Sequence, residues 1–176
     1  MKIAITDACI FIDLYDLDLT VSFFSLELEV HTSLDVMNEL YPEQKKLLEA
    51  YISMKKLMVH NIQNEERFII AQTNYPLALS EVDKTVLFLA ERLNALVLSS
   101  DKAVRNFAKS KSIDYHGLLW IFDQLIEQKI LAKNEAAIKL KELIRLNIIY
   151  QNNSKLMGEF RKRLEVWGSV LMPKKD

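Results

Sequence analysis

Apolar positions over residues 79–108 follow two rhythms, and the change between them predicts a helix followed by a buried strand. Val82, Val86, Leu89, Ala90 and Leu93 recur at the spacing of one helix face. Ala95, Leu96, Val97 and Leu98 then run without a polar residue, at the length of a strand. Residues 2–6 give a second short apolar strand, which ends on Asp7 as the other ends close to Asp101. In open α/β sheets ligands bind outside the strand ends, so an acid directly after a buried strand stands where chemistry is usually done.

The rest of the chain alternates in the same way. Ile10, Phe11 and Leu14 predict a helix over 10–15, and residues 18–26 a short one. A second strand covers residues 28–31. Thr32 or Ser33 is placed to cap a helix over 34–40, with Asp35 three residues after Thr32 as a capping box requires. Tyr41-Pro42 breaks that helix. Residues 43–56 form a charged amphipathic helix with Leu47, Leu48, Tyr51, Ile52 and Met54 on its apolar side. Leu57–His60 is a third strand. Residues 61–74 read as helix because Glu65 and Glu66 suit a first turn, and Tyr75-Pro76 ends it. After the fourth strand come a basic helix over 101–110, a fifth strand over 113–115, and helices over 118–129, 133–147 and 154–167. Five short strands separated by helices predict an α/β fold of three layers, with a central parallel sheet covered on both faces.

Composition narrows the class. A chain of 176 residues can bury about 70% of its unfolded surface, so no staple is needed. Cys9 is the single cysteine, which excludes an internal disulfide and fits a reducing cytoplasm. The opening Met-Lys-Ile-Ala-Ile-Thr-Asp reaches a charge too soon for a secretory leader, and no apolar run is long enough to span a membrane. The net charge of −1 hides an asymmetry. Residues 1–100 carry 8 Lys and Arg against 15 Asp and Glu, whereas residues 129–176 carry 11 against 5. An acidic site with a basic surface elsewhere suits a metal-dependent enzyme acting on a polyanion; solvated helices bearing Lys and Arg are the plainer explanation.

Four acids stand out by position: Asp7 after strand one, Glu39 in the helix after strand two, Asp83 at the start of the central helix and Asp101 after strand four. Clustered carboxylates repel one another and stay ionised together mainly around a divalent cation, and an all-oxygen set selects Mg²⁺ or Mn²⁺ over zinc. Each also has a local explanation. Ser80 to Asp83 is a good capping box, Asp101 suits a helix first turn, and Glu39 suits a solvated helix face. Asp7 is harder to explain away, because a charge directly after a central buried strand is seldom buried unless paired or metal-bound. His31, His60 and His116 lie at strand ends, far apart in sequence, and read as structural or solvated.

In order, Ile5-Thr6-Asp7-Ala8-Cys9-Ile10-Phe11-Ile12, Val36-Met37-Asn38-Glu39-Leu40, Leu79-Ser80-Glu81-Val82-Asp83 with Leu89-Ala90, Leu98-Ser99-Ser100-Asp101-Lys102-Ala103-Val104-Arg105 and Gly117-Leu118-Leu119 resemble the successive motifs of PIN-domain ribonucleases. The resemblance implies a PIN-like nuclease domain over residues 1–130, with residues 131–176 as a C-terminal helical extension packed on it. It further implies a cytoplasmic endoribonuclease that hydrolyses RNA phosphodiester bonds with Mg²⁺ or Mn²⁺, as do the VapC-type toxins of toxin–antitoxin pairs. Asp7, Glu39, Asp83 and Asp101 match the metal-binding acids, and Ser99 matches a supporting hydroxyl residue. Lys102, Arg105, Lys109 and Lys111 follow the last acid and are placed either to hold substrate phosphates or simply to form a solvated helix face. An antitoxin protein and a homodimer are the partners so implied. Two departures stand out. Ala8 and Cys9 replace small polar residues, so a hydrogen bond supporting Asp7 is expected to be missing, and the segment after residue 130 is longer than in compact toxins.

Other readings of a five-stranded parallel fold fare worse. A phosphate receiver needs an acid after strand three, where Val59-His60-Asn61 stands, and an Asp-x-Asp phosphatase fails at Asp7-Ala8-Cys9. The serious alternative is a PIN-like fold kept as a non-catalytic RNA-binding or protein-interaction module. Met157, Phe160, Leu164 and Trp167 would then face a partner, although packing on their own core is the commoner fate of such a stripe.

Overall fold

The structure is a computed structural model and describes residues 1–168. The last part of the expected extension, residues 169–176, lies outside the described residues. The chain groups into two compact units, one of Met1–Asp16 and Glu27–Leu118, the other of Leu17–Leu26 and the chain from Leu119 onward.

In the first unit the elements run β1 (Lys2–Thr6), α1 (Ala8–Asp16) and, after the short helix α2 (Thr20–Phe23) of the other unit, β2 (Leu28–Ser33), α3 (Leu34–Glu39) and α4 (Pro42–Ser53). They continue with β3 (Leu57–His60), α5 (Asn64–Gln72), α6 (Glu81–Leu93), β4 (Leu96–Leu98), α7 (Lys102–Ser110) and β5 (Tyr115–His116). All five strands are parallel, in the order β3-β2-β1-β4-β5. The expected parallel sheet with helices around it is thus present. Ala4 pairs with Val30 on one side and Leu96 on the other, which fixes β1 at the centre. Ile5, Val97 and Leu98 are fully buried, as the apolar runs require of strands flanked on both sides. The direction of winding reverses between β1 and β4, so the crevice beyond their ends is the switch point of the sheet.

Several local details differ from the sequence reading, each for a physical reason. Pro42 does not only stop a helix; it occupies the first turn of α4, where a missing N–H costs nothing. Of the two expected capping residues it is Ser33 that caps α3, its hydroxyl accepting from Val36 N–H at 3.1 Å. The Thr32 hydroxyl is instead donated to the Thr6 carbonyl at 2.8 Å, and both oxygens of Asp35 accept from the single Arg67 Nη2, each at 3.0 Å, rather than closing a capping box. The fifth strand shrinks to Tyr115–His116 and shifts later, because its extent is set by pairing with Val97 and Leu98. Asn94 ends α6 in the left-handed conformation, φ 48°, and turns the chain at once into β4.

The second unit contains α2 and the helices α8 (Leu118–Glu127), α9 (Lys133–Leu146), α10 (Ile148–Gln151) and α11 (Ser154–Gly168). Phe160 and Trp167 are buried, with Tyr150 against Phe160 and Phe122 against Trp167, so these two residues of the α11 stripe pack within their own unit, while Met157 and Leu164 are half-buried. Arg163 clasps Asp123 through Nη2 at 2.6 Å and Nε at 3.0 Å, tying α11 to α8. No described helix is long and apolar enough to cross a membrane.

Candidate active site

Asp7 stands at the switch point because β1 ends one residue before it and its N–H is tied to the Leu98 carbonyl at 3.0 Å. Its carboxylate is buried, with 5% of the residue exposed, and is held from three sides. Ala8 N–H donates to Oδ1 at 2.7 Å, Ser99 Oγ–H donates to Oδ2 at 2.7 Å, and the Cys9 thiol donates to Oδ2 at 3.5 Å. The expectation that Asp7 lacks support at Ala8 and Cys9 is therefore corrected. The backbone of Ala8 supplies one donor, and Cys9 supplies a weak one in place of a hydroxyl. Ser100 N–H in turn donates to Cys9 Sγ at 3.3 Å, so the thiol joins the ends of β1 and β4. Burial pushes the Cys9 thiol well up, the charge of Asp7 adding to it, and keeps it a donor at neutral pH.

Ser99 is the hub of the crevice. It is fully buried directly after β4; its hydroxyl serves Asp7, while its oxygen accepts Asp101 N–H at 3.1 Å. The supporting place expected for it thus has a specific geometry: one hydroxyl orients one acid and fixes the backbone of the next.

The other acids arrive on helix ends. Glu39 is the exposed last residue of α3, and Asp83 is half-buried in the first turn of α6. Asp7 has a raised pKa, first from burial, with the Ser99 and Ala8 hydrogen bonds opposing and Asp83 adding to the rise. Glu39 is raised by partial desolvation and then by the charges of Asp7 and Asp83. The fold thus brings Asp7, Glu39 and Asp83 within electrostatic reach of one another. Asp101 Oδ1 caps α7, accepting Ala103 N–H at 2.7 Å and Val104 N–H at 2.9 Å. Asp83 also does what the local explanation expects: its Oδ2 accepts Ser80 N–H at 2.7 Å while Ser80 Oγ accepts Asp83 N–H at 3.1 Å. Capping and clustering are compatible, because each occupies one carboxylate oxygen.

The donor set fits a hard divalent cation: all oxygen, ionisable, and self-repelling without a counter-charge. As placed, no group of three His, Cys, Asp or Glu among the described residues surrounds a common metal position. A cation would have to draw Glu39 and Asp83 toward Asp7. Behind them, Thr85 Oγ–H donates to Ser33 Oγ at 2.8 Å, joining α6 to the end of β2 and so setting the heights of the two helices that carry these acids.

On α7 the cations differ in availability. Lys102 and Lys109 are exposed, whereas Arg105 is partly covered and lies over the Tyr115 ring, 5.8 Å from its centroid. The sequence reading missed the association of His31 with His60, whose ring nitrogens approach to 2.8 Å. Only the parallel register of β2 and β3 brings them together.

Comparison with known proteins agrees with this architecture. The family model described as DUF3368, PIN domain, matches residues 3–165. None of the curated proteins matches significantly. Among solved structures, a domain of a functionally unknown protein from Methanocaldococcus jannaschii DSM 2661 aligns over 67% of this chain and 91% of its own, at 21% identity and TM-score 0.47. A PilT N-terminus domain protein from Sulfolobus solfataricus P2 aligns over 72% and 95%, at 12% identity and TM-score 0.47. VapBC2 from Rickettsia felis, bound to a DNA fragment from its promoter, aligns over 66% and 98%, at 12% identity and TM-score 0.40. With a family model spanning nearly the whole chain and a parallel sheet that delivers acids to its switch point, this protein belongs to the PIN-domain family.

Proposed function

We propose that this protein is an endoribonuclease that hydrolyses RNA phosphodiester bonds with Mg²⁺ or Mn²⁺ held by Asp7, Glu39 and Asp83, with Asp101 at the rim. The observation that carries the reading is the buried Asp7 carboxylate, held by Ala8 N–H and Ser99 at the switch point, with Asp83 adding to the rise in its pKa and Glu39 raised in turn by Asp7 and Asp83. When bound, the cation supplies Lewis acidity for attack of water on the phosphate. The chain's own residues do the rest. Ala8 N–H, Ser99 and Cys9 orient Asp7 and favour its ionised form against the rise that burial imposes, and Thr85 with Ser33 fixes the helix ends that bear Asp83 and Glu39. Lys102 and Lys109 offer free ammonium groups to the substrate backbone, and Arg105 a stacked guanidinium. The toxin role, an antitoxin partner and a homodimer belong to the same proposal by family likeness. One observation favours the non-catalytic alternative: Asp83 and Asp101 each already commit an oxygen to a helix cap.

The deciding experiment is cleavage of a mixed RNA substrate with Mn²⁺ by wild type and by Asp101→Asn. Asparagine is as good a cap as aspartate, so α7 is kept and only the charge is lost. Cleavage by wild type and its loss in the variant is the expected result; RNA binding without cleavage by wild type would establish the module instead.

Two smaller effects follow from the same geometry. Cys9→Ser should keep cleavage near wild type, whereas Cys9→Ala should lower kcat roughly five- to tenfold with KM unchanged, since one weak hydrogen bond to Asp7 is lost. Steady-state kinetics on a short fluorescent RNA would measure it. Lys102→Ala and Lys109→Ala should each weaken RNA binding and lower the slope of log affinity against log salt by about 0.7 for a single strand, measured by anisotropy in EDTA.

A further inference from the structure

The side chains between β2, β3, α5 and α6 form a chain whose hydrogen-bond polarity can be assigned from its two ends. Arg92 has donors only, and its Nη2 lies 3.1 Å from His60 Nδ1. That nitrogen must accept, which places the proton of a neutral His60 ring on Nε2. His60 Nε2 lies 2.8 Å from His31 Nδ1, so His31 Nδ1 accepts and its own proton sits on Nε2. His31 Nε2–H then donates to Glu29 Oε1 at 3.0 Å. At the other end Arg92 pairs with Glu66 of α5. Every bond is satisfied with both rings neutral and with one tautomer each.

We propose that Glu29, His31, His60, Arg92 and Glu66 form a proton-gated latch that fastens the edge strand β3 and helix α5 to β2 and α6, and that acid opens it. An added proton at either Nδ1 turns an acceptor into a donor facing a donor. On His60 it opposes the Arg92 guanidinium, and on His31 it opposes His60 Nε2–H. His31 is 6% exposed and cannot recover the lost bond from water. The groups acting on His60 are His31 from β2, Arg92 from α6 and Glu66 from α5, while Glu29 faces His31. Glu66 favours the charged ring, but burial, followed by His31 and Arg92, holds the His60 pKa below the ordinary value. The unfolded chain therefore takes up a proton first. The stabilisation is complete above the unfolded histidine value near 6.5 and is lost as pH falls below it. Opening is local because, among the described residues, β3 pairs only with β2.

The test uses the full chain labelled with ¹⁵N. At about pH 7.5, long-range ¹H–¹⁵N spectra should show His31 and His60 both as the Nε2–H tautomer. On lowering the pH to about 5, amide exchange protection in β3 and α5 should fall about tenfold while β1 and β4 keep theirs. Arg92→Met removes the terminal donor and its charge, so His60 should become protonated at higher pH than in wild type. An Nδ1–H tautomer at either ring, undiminished protection at the lower pH, or an unchanged His60 titration in Arg92→Met would overturn the proposal. If that variant does not fold, the wild-type spectra and exchange decide alone. None of these readouts depends on nuclease activity.

Discussion

Asp7→Asn is expected to lose RNA cleavage by at least about 10²-fold and, at the same time, to unfold at a higher temperature than metal-free wild type at neutral pH. The two effects have one cause. Asp7 is buried and its pKa is raised, so the folded state binds its proton more tightly than the unfolded chain does. Its contribution to stability is present below the unfolded carboxylate value near 3.8 and is lost as pH rises through the folded value. At neutral pH the ionised carboxylate is therefore a net cost of folding, despite the hydrogen bonds from Ala8 and Ser99. Asparagine carries no charge and keeps the shape, but its NH2 group faces a donor, Ala8 N–H on one side or Ser99 and Cys9 on the other, so the expected gain is what removal of the charge leaves after one lost hydrogen bond. Thermal unfolding in EDTA across the acid and neutral ranges checks the sign: the gap between variant and wild type should close as pH falls. A variant less stable than wild type throughout would mean that Asp7 is held for structure rather than for chemistry.

Mn²⁺ should act in the opposite direction on the wild type. A ligand that binds only the folded state adds about 2.7 kcal/mol at a hundredfold excess over Kd, a rise in Tm of roughly 5 to 10 °C for a chain of this size. The rise should be lost in Asp7→Asn and much reduced in Glu39→Gln and Asp83→Asn, because each removes one carboxylate of the set. It should also grow with pH, since metal and protons compete for Asp7 and Glu39, whose pKa values are raised. Calorimetric scans with and without the cation measure all of this. An equal rise in all four proteins would point to binding elsewhere.

The centre of the sheet was legible because β1 and β4 are flanked on both sides and read as short apolar runs, Ala95 to Leu98 above all. The places of Asp7 and Asp101 followed directly, since an acid after such a strand is delivered to the sheet end. What local pattern could not supply was pairing across the sheet. The two residues of β5 are a strand only because β4 lies beside them, and the His31–His60 contact exists only in the register that sets Ser33 opposite His60. Competing uses of one residue type were the other limit. Thr32, Ser33 and Asp35 are all able to cap α3, and tertiary partners decided among them: the Thr6 carbonyl took Thr32 and Arg67 took Asp35. Cys9 was misjudged for a similar reason, because a thiol resembles a small apolar residue until a buried carboxylate stands beside it.

Three carboxylates, one directly after β1 and one each in α3 and α6, are proposed to serve one cation. Anomalous scattering from crystals grown with Mn²⁺ tests this without reference to any substrate. A single peak within direct or water-bridged reach of Asp7, Glu39 and Asp83, absent from crystals of Asp7→Asn, is the predicted result. Well-ordered wild-type crystals with no peak in that crevice, or with Mn²⁺ bound only at other acids, would contradict it.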